Sequence, residues 1–448
     1  VFRGRIALFI CLIGMLLAAV GCAPSDEEDD DAAKARTPQT IRVPQNTPTI
    51  SSAVGRARPG DLVLVSPGVY HETVRIPVDR VVLRGTDRNR VIIDGQGRRH
   101  NGVVVTGSGV AVENLTVRDH LLNGVLVTGM ASQDGQGLAR GSNGYEHLDP
   151  EKFPPLQGFR VSYVTSARNG LYGIYAFNAQ SGRLDHNHTS GGADSGLYVG
   201  QCKPCNVVVS DNVAEYNAVG YEGTNASEKM WVLRNRLTHN RVGMTVNSDY
   251  LEAYVPQHSA VVAGNLVADN AEPKSPQQAD GGFGIGIGLA GGQRNTVHNN
   301  RIEGNPRAGL VLMSAEDVPP TGNAISSNNF SRNGVDAVYA ASDRAPGKGN
   351  CLTDNALSTT APKTLAAQPQ CSADADGPVM TSAAPPTQPA APAGIPFRTV
   401  PEPPDQPQMP GGATAPVRPA TGLPGSVDAD RVPLPGRDLL AAHSRSGS

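Results

Sequence analysis

The chain has 448 residues, with 38 Lys and Arg against 41 Asp and Glu, and it is rich in Gly (51), Pro (36) and Asn (28). A net charge of −3 gives no electrostatic basis for a nucleic-acid partner. Length alone would suit two or three domains, but the composition is uneven: all 28 Asn lie at or before position 355, and 16 of the 36 Pro fall between Ser372 and Ser448, where Phe397 is the sole aromatic. The first part can fold. The second lacks the apolar side chains to offset ordering its backbone, at about 1–2 kcal/mol per residue, and residues 372–448 are expected to form a disordered Pro/Ala-rich tail.

At the N-terminus, Arg3 and Arg5 precede a nearly continuous apolar run over residues 6–20, too short and wrongly flanked for a membrane span, which reads as an export signal. It ends in Leu17-Ala18-Ala19-Val20-Gly21-Cys22, which resembles the lipobox of bacterial lipoproteins. The resemblance implies a signal peptide over 1–22, lipidation of Cys22 and a cell-envelope lipoprotein held on the extracytoplasmic side of a membrane. A cleaved signal with an incidental cysteine is the alternative. The acidic block Ser25 to Asp31 follows, and like charges that repel and stay solvated make residues 23–45 a flexible tether.

The segment Thr49 to Ala57 has apolar residues at helical spacing behind a hydroxyl that can cap it, predicting a short helix. Pro59-Gly60-Asp61 and Pro67-Gly68 mark turns around Leu62-Val63-Leu64-Val65, and a strand follows from Val69 to Ile76. A helix in this place suits a solenoid, whose open end would otherwise invite pairing with other chains.

A repeat is legible beyond it. Asn pairs five residues apart recur at Asn212/Asn217, Asn235/Asn240, Asn265/Asn270, Asn300/Asn305 and Asn328/Asn333, and the first member advances by 23, 30, 35 and 28 residues. Three positions before each stands Val209, Val232, Val262, Val297 or Ile325. The unit is too short for a propeller blade of about 40–45 residues. Asn tolerates the left-handed bend of a tight turn, and amides stacked one coil apart can hydrogen-bond into a ladder. These features predict an all-β parallel solenoid, and with Pro59-Gly60-Asp61 through Tyr70 they resemble the right-handed parallel β-helix repeat proteins of the pectate-lyase-like superfamily. The β-helix is expected over residues 46–371, with a short N-terminal capping helix and disordered tails.

Function must come from a site, because this fold hosts many chemistries. Motifs of polygalacturonases, pectin esterases, pectate lyases and mannuronan epimerases do not transfer to this sequence. Strand alternation offers a site instead: equivalent outward residues on neighbouring coils stack in a column about 4.8 Å apart. The column reads Leu126, Tyr175, Tyr198, Glu222, Thr245, Val311, with Asn225, Asn247 and Asp249 near the same strand ends. Aromatic faces beside amides and carboxylates suit a polysaccharide, with Tyr175, Tyr198, Asn225 and Asn247 as substrate-binding candidates. Glu222 and Asp249 are the candidate acid and base of a lyase, epimerase or glycoside hydrolase, calcium being implied only for a lyase and no cofactor otherwise. Coverage of the sheet by Tyr175 and Tyr198 beneath a loop is the alternative. Long insertions at 130–158, 248–259 and 271–282 are placed to wall the groove. A non-catalytic envelope scaffold or protein-interaction module is the competing function class, and the chain is expected to be a monomer.

Four cysteines remain beyond Cys11 and Cys22, and an exported chain favours disulfides, with Cys202–Cys205 and Cys351–Cys371 the close pairs among three connectivities. A metal site at Cys202-Lys203-Pro204-Cys205 would need further ligands, and a copper-accessory role, known for another exported β-helix family, is a third class of function. No metal ligands are assigned.

Overall fold

The computed structural model describes residues 36–445 apart from 142–143, 146–147, 279–280, 368–378 and 385–389. Cys22, the signal, the tether up to residue 35 and Cys371 lie outside the described residues.

Thr49 caps the helix Ile50–Arg56 by accepting from the Ser52 amide. The Glu72 carboxylate accepts from the amides of Ile50 (3.0 Å) and Ser51 (2.9 Å), placing negative charge at the helix N-terminus where the backbone dipole favours it. Ile50, Ala53 and Val54 are buried against the first strands, so the helix closes the end of the coil stack.

Beyond the helix the chain winds through short strands that assemble three parallel sheets. The twelve-stranded sheet runs from Thr40–Val43 to Cys351–Thr353, the eleven-stranded sheet from Val74–Ile76 to Thr360–Ala361, and the ten-stranded sheet from Gly68–Tyr70 to Asn329–Ser331. Each strand pairs with its equivalent one coil away, which makes the chain a right-handed parallel β-helix. The apolar member of the repeat sets the register: Val209 pairs with Val232, Val232 with Val262, Val262 with Val297, and Val297 with Ile325. All five are buried and point into a core that runs the length of the helix.

The Asn amides form the expected ladder. The side chain of Asn212 donates to Asn235 (2.9 Å), Asn235 to Asn265 (2.9 Å), Asn265 to Asn300 (2.9 Å) and Asn300 to Asn328 (3.0 Å). A second ladder runs through Asn217, Asn240, Asn270, Asn305 and Asn333. The left-handed bend is not on these Asn, however. It falls one residue earlier, on Asp211 (φ 58°), Tyr216 (59°), Arg234 (52°) and His239 (56°). The ladder Asn are therefore selected for an amide that satisfies a buried backbone N–H and carbonyl on the neighbouring coils, and the residue before them carries the conformational cost of the turn.

Cys202 and Cys205, both buried, form a disulfide across a turn whose Lys203 and Pro204 are exposed. Cys351 is also disulfide-bonded.

The C-terminal segment departs from the expectation of a free tail. Residues 390–445 form no core of their own, yet they lie along the flank of the solenoid as an extended strap. Its backbone carbonyls, which a Pro-rich strand cannot satisfy internally, accept from a series of arginines: Arg84 to Ala415 (2.6 Å), Arg88 to Pro407 (3.1 Å), Arg183 to Pro424 (3.0 Å), Arg236 to Arg437 (3.0 Å) and Arg301 to Pro435 (2.8 Å). Glu402 bridges Arg118 and Arg168. Near the end of the strap, the Ser444 hydroxyl donates to Glu215 (2.7 Å), whose other oxygen faces His188 at 3.1 Å. Burial alone would raise the Glu215 carboxyl, but the bonds from His188, Ser444 and the Arg445 amide bring it down to about 2.

Candidate functional site

The outward column exists in the register read from the sequence. On the eleven-stranded sheet, Leu126 pairs with Tyr175, Tyr175 with Tyr198, Tyr198 with Glu222, and Glu222 with Thr245. Thr245 pairs with Gly288, and Gly288 with Val311. Gly288 has no place in the column as read from the sequence, because the 271–282 insertion breaks the spacing. It leaves a notch where the other coils carry a side chain.

The first half of this face is not an open groove. Tyr175 is 1% exposed and Tyr198 3%, because Met130, Ala139 and Phe153 of the 130–158 insertion pack onto them together with Leu126 and Phe177. The rings of Tyr172 and Tyr175 lie 4.2 Å apart, and Tyr175 meets Tyr198 edge-on at 4.8 Å, an arrangement favoured by ring electrostatics. The loop gains by covering this aromatic surface, at about 25 cal/mol per Å² removed from water.

The 248–259 insertion covers the next coils. Asn225 is fully buried, and its amide donates to the carbonyls of Asp249 (2.6 Å) and Glu252 (3.1 Å), so it pins the loop instead of facing a ligand. Asp249 uses its carboxylate in a turn, accepting from the Leu251 amide at 2.7 Å. The carboxyl that reaches the column is Glu252, which accepts from the Tyr198 hydroxyl. Glu222 and Glu252 both act on Tyr198, whose hydroxyl is pushed well above its ordinary range by burial first and by Glu252 next. Burial, with Asp249 adding to it, pushes the Glu252 carboxyl up to about 8 against the opposing Tyr198 hydrogen bond. Of the two loop carboxyls, Glu252 and not Asp249 is the one that meets the column, at Tyr198. Sequence reasoning passes over Glu252 because it sits in an aperiodic loop, where no strand position identifies its direction.

Two cavities flank this covered middle. The first, about 230 Å³, lies at the leading edge of the sheet and is lined by Tyr172 and Tyr175 together with Asn101, Asn123, Asp134 and Gln136. The second, about 310 Å³, lies on the open sheet face over Thr245, Gly288 and Val311, flanked by Asn247 and Met313, with Arg307 and the end of the 271–282 insertion at its rim. The structure therefore places Tyr175 in one cavity and Asn247 in the other, with Tyr198, Glu222 and Asn225 between them.

Residues 161–361 match the family model described as periplasmic copper-binding protein (NosD). That match takes in the covered middle and the second cavity. No curated protein matches the chain in sequence. Among solved structures, the A-module of the Azotobacter vinelandii mannuronan C-5 epimerase AlgE6 is 14% identical, with 69% of this chain and 92% of that one covered at a TM-score of 0.48. The A-module of the epimerase AlgE4 from the same organism is also 14% identical, covering 69% and 89% at 0.46. Pectate lyase Pel9A is 13% identical, covering 73% and 80% at 0.43. The fold is established by the three sheets and their ladders. As for the metal of the family description, among the described residues no group of three His, Cys, Asp or Glu side chains could hold an ion. Cys202, Cys205 and Cys351 are committed to disulfides.

Proposed function

We propose that this chain is an extracytoplasmic β-helix protein, anchored through a lipid on Cys22, that binds an extended polysaccharide along the face of its eleven-stranded sheet. One observation carries the reading: a single cavity of about 230 Å³ is lined by the aromatic side chain of Tyr172 together with the polar side chains of Asp134 and Gln136. A sugar ring offers C–H faces to aromatic surfaces and hydroxyls to amides and carboxylates, and this cavity provides both at the scale of one ring. The export signal, the family described as periplasmic and the disulfides support the location, since disulfides persist in oxidising compartments. Affinity gels loaded with neutral and uronate-containing polysaccharides are expected to retard the protein without releasing shortened or unsaturated products. Tyr172→Ala combined with Gln136→Ala is expected to weaken the retardation at least about tenfold, the effect of losing roughly 1.4 kcal/mol of stacking and hydrogen bonding. Unchanged retardation in that variant would overturn the placement of the site.

The family description favours a second reading, a copper-accessory role. The residues do not fit it: soft thiolate or clustered imidazole donors are what copper selects, and the described residues bring no such set together. Metal analysis of purified protein is expected to show less than stoichiometric copper, and one tightly held copper per chain would reverse the order of the two readings.

A further inference from the structure

The loop over residues 248–259 is bolted at both ends, is pinned in the middle by Asn225 on the Asp249 and Glu252 backbone, and seats one carboxyl beneath it. At its ends, the Ser248 hydroxyl donates to the Gly291 carbonyl (2.9 Å), and Gln257 donates to the Ala226 carbonyl (3.1 Å) and to Asn295 (3.0 Å). Between them, Tyr250 and Leu251 are 54% and 72% exposed, while Glu252, one residue on, is 7% exposed and reaches the Tyr198 hydroxyl with Oε1. Its Oε2 has no hydrogen-bond partner among the described residues and lies against Gly200, where a Cβ would come within 2.9 Å of that oxygen and would run into the Tyr198 ring. A buried carboxyl with one bonded oxygen and no cation beside it among the described residues is seated far more easily as the neutral acid than as the carboxylate.

We infer that residues 248–259 form a lid over the middle of the sheet face, that neutral Glu252 seated on Tyr198 and Gly200 is its latch, and that ionisation of Glu252 releases it. Opening would uncover Glu222 and the hydroxyl end of Tyr198 and extend the second cavity along the column, while the 130–158 insertion stays packed on Tyr175. From Tyr198 to Val311 the column crosses four coil steps, roughly 19 Å at about 4.8 Å per step, a length suited to a chain of sugar rings and not to one. The consequence for ligand length rests on the polysaccharide reading; the latch itself does not.

Burial and a like charge disfavour the charged form of Glu252 and outweigh the hydrogen bonds from the Tyr198 hydroxyl and the Gln201 backbone, which favour it. Asp249 in its own loop is a like charge. Tyr198, the hydroxyl it contacts, stands in the field of Glu222, Tyr172 and Tyr175 from the neighbouring strands and turn. Gln201 contributes a side-chain amide oxygen that accepts from Ala253 at 3.0 Å. The closed lid holds its proton up to about pH 8, whereas an open, solvated Glu252 would release it near the ordinary 4.5. The closed state is therefore most stable below pH 4.5, weakens as pH rises toward 8, and weakens no further above it.

Amide hydrogen exchange of the unliganded full chain reads this directly. Protection factors of the 249–254 amides, corrected for intrinsic exchange, are expected to fall up to about tenfold per pH unit between about pH 5 and 8, and to level off above. Glu252→Gln is expected to flatten that dependence, and Gly200→Ala to lower protection at every pH while the Asn-ladder amides stay protected. Protection that is flat from pH 5 to 8 in the wild type, or an equal slope in Glu252→Gln, would overturn the latch. Because no saccharide is present, failure here is distinguishable from failure of the binding reading.

Discussion

Asn235→Ala is expected to lower the unfolding free energy by about 3 kcal/mol, because one side chain serves buried backbone groups on two coils at once. The Asn235 amide donates to the Val209 carbonyl (3.0 Å) and to Asn265, and its oxygen accepts from both the backbone and the side chain of Asn212. The residue is fully buried. Truncation leaves a buried carbonyl and a buried backbone N–H on separate segments without partners, and each orphaned group costs about 1–3 kcal/mol. Asn235→Asp is expected to be worse still, because a carboxylate cannot donate to Val209 and its charge would be buried. By contrast, Arg234→Ala changes the left-handed residue beside it without touching the ladder, and loses mainly the ion pair with Asp211 (2.7 Å) at a 40%-exposed site, where such pairs contribute little. Denaturant titration of the three variants checks the ranking. Equal stability of Asn235→Ala and the wild type would show that water can replace the ladder.

The second large effect concerns the strap. Limited proteolysis of the intact protein is expected to leave residues 396–445 uncut under conditions that degrade a free Pro/Ala-rich chain, and truncation after Ala391 is expected to lower Tm by about 5 °C or more. The strap's carbonyls satisfy Arg84, Arg88, Arg183, Arg236 and Arg301, and Ala413 packs on Leu62, Leu64, Val82 and Ala111, while Ala429 and Val432 pack on Leu233 and Ala263. Arg84 and Arg88 are nearly fully buried, and burial brings the Arg88 guanidinium down to about 9. Removing the strap uncovers apolar surface and takes away a set of hydrogen bonds to charged donors, each worth about 1.5–3 kcal/mol before the entropy regained by the freed segment. A loss of a few kcal/mol net corresponds to a shift of this size in a chain of several hundred residues. Rapid cleavage between 396 and 445 with unchanged Tm would restore the picture of a free tail.

The parts of the molecule that are readable in the sequence are those governed by period. Val209, Val232, Val262, Val297 and Ile325 repeat because each must fill the same layer of the core, and the Asn behind them repeat because each amide needs the next. The order Tyr175, Tyr198, Glu222, Thr245 follows from the same register. What covers that column does not follow, since Phe153 and Glu252 lie in insertions whose direction is set by tertiary packing alone. The strap is unreadable for a related reason. Composition records that the segment cannot build a core, but not that Arg84, Arg88 and Arg301, all distant from it in sequence, present donors along a flank where an extended backbone can lie.

The covered middle changes what the aromatic column means. Tyr175, Tyr198 and Glu222 are removed from solvent, so ligand contact in the closed state falls to Tyr172, Asp134 and Gln136 at one end and to Thr245, Asn247 and Gly288 at the other. The most direct measurement of polysaccharide binding at this face is a crystal structure of the protein with an oligosaccharide cut from whichever polysaccharide retards it. The expected result is a sugar ring against Tyr172 with its hydroxyls on Asp134 or Gln136. A sugar bound along the strap flank or elsewhere on the solenoid, with that cavity empty, would contradict it.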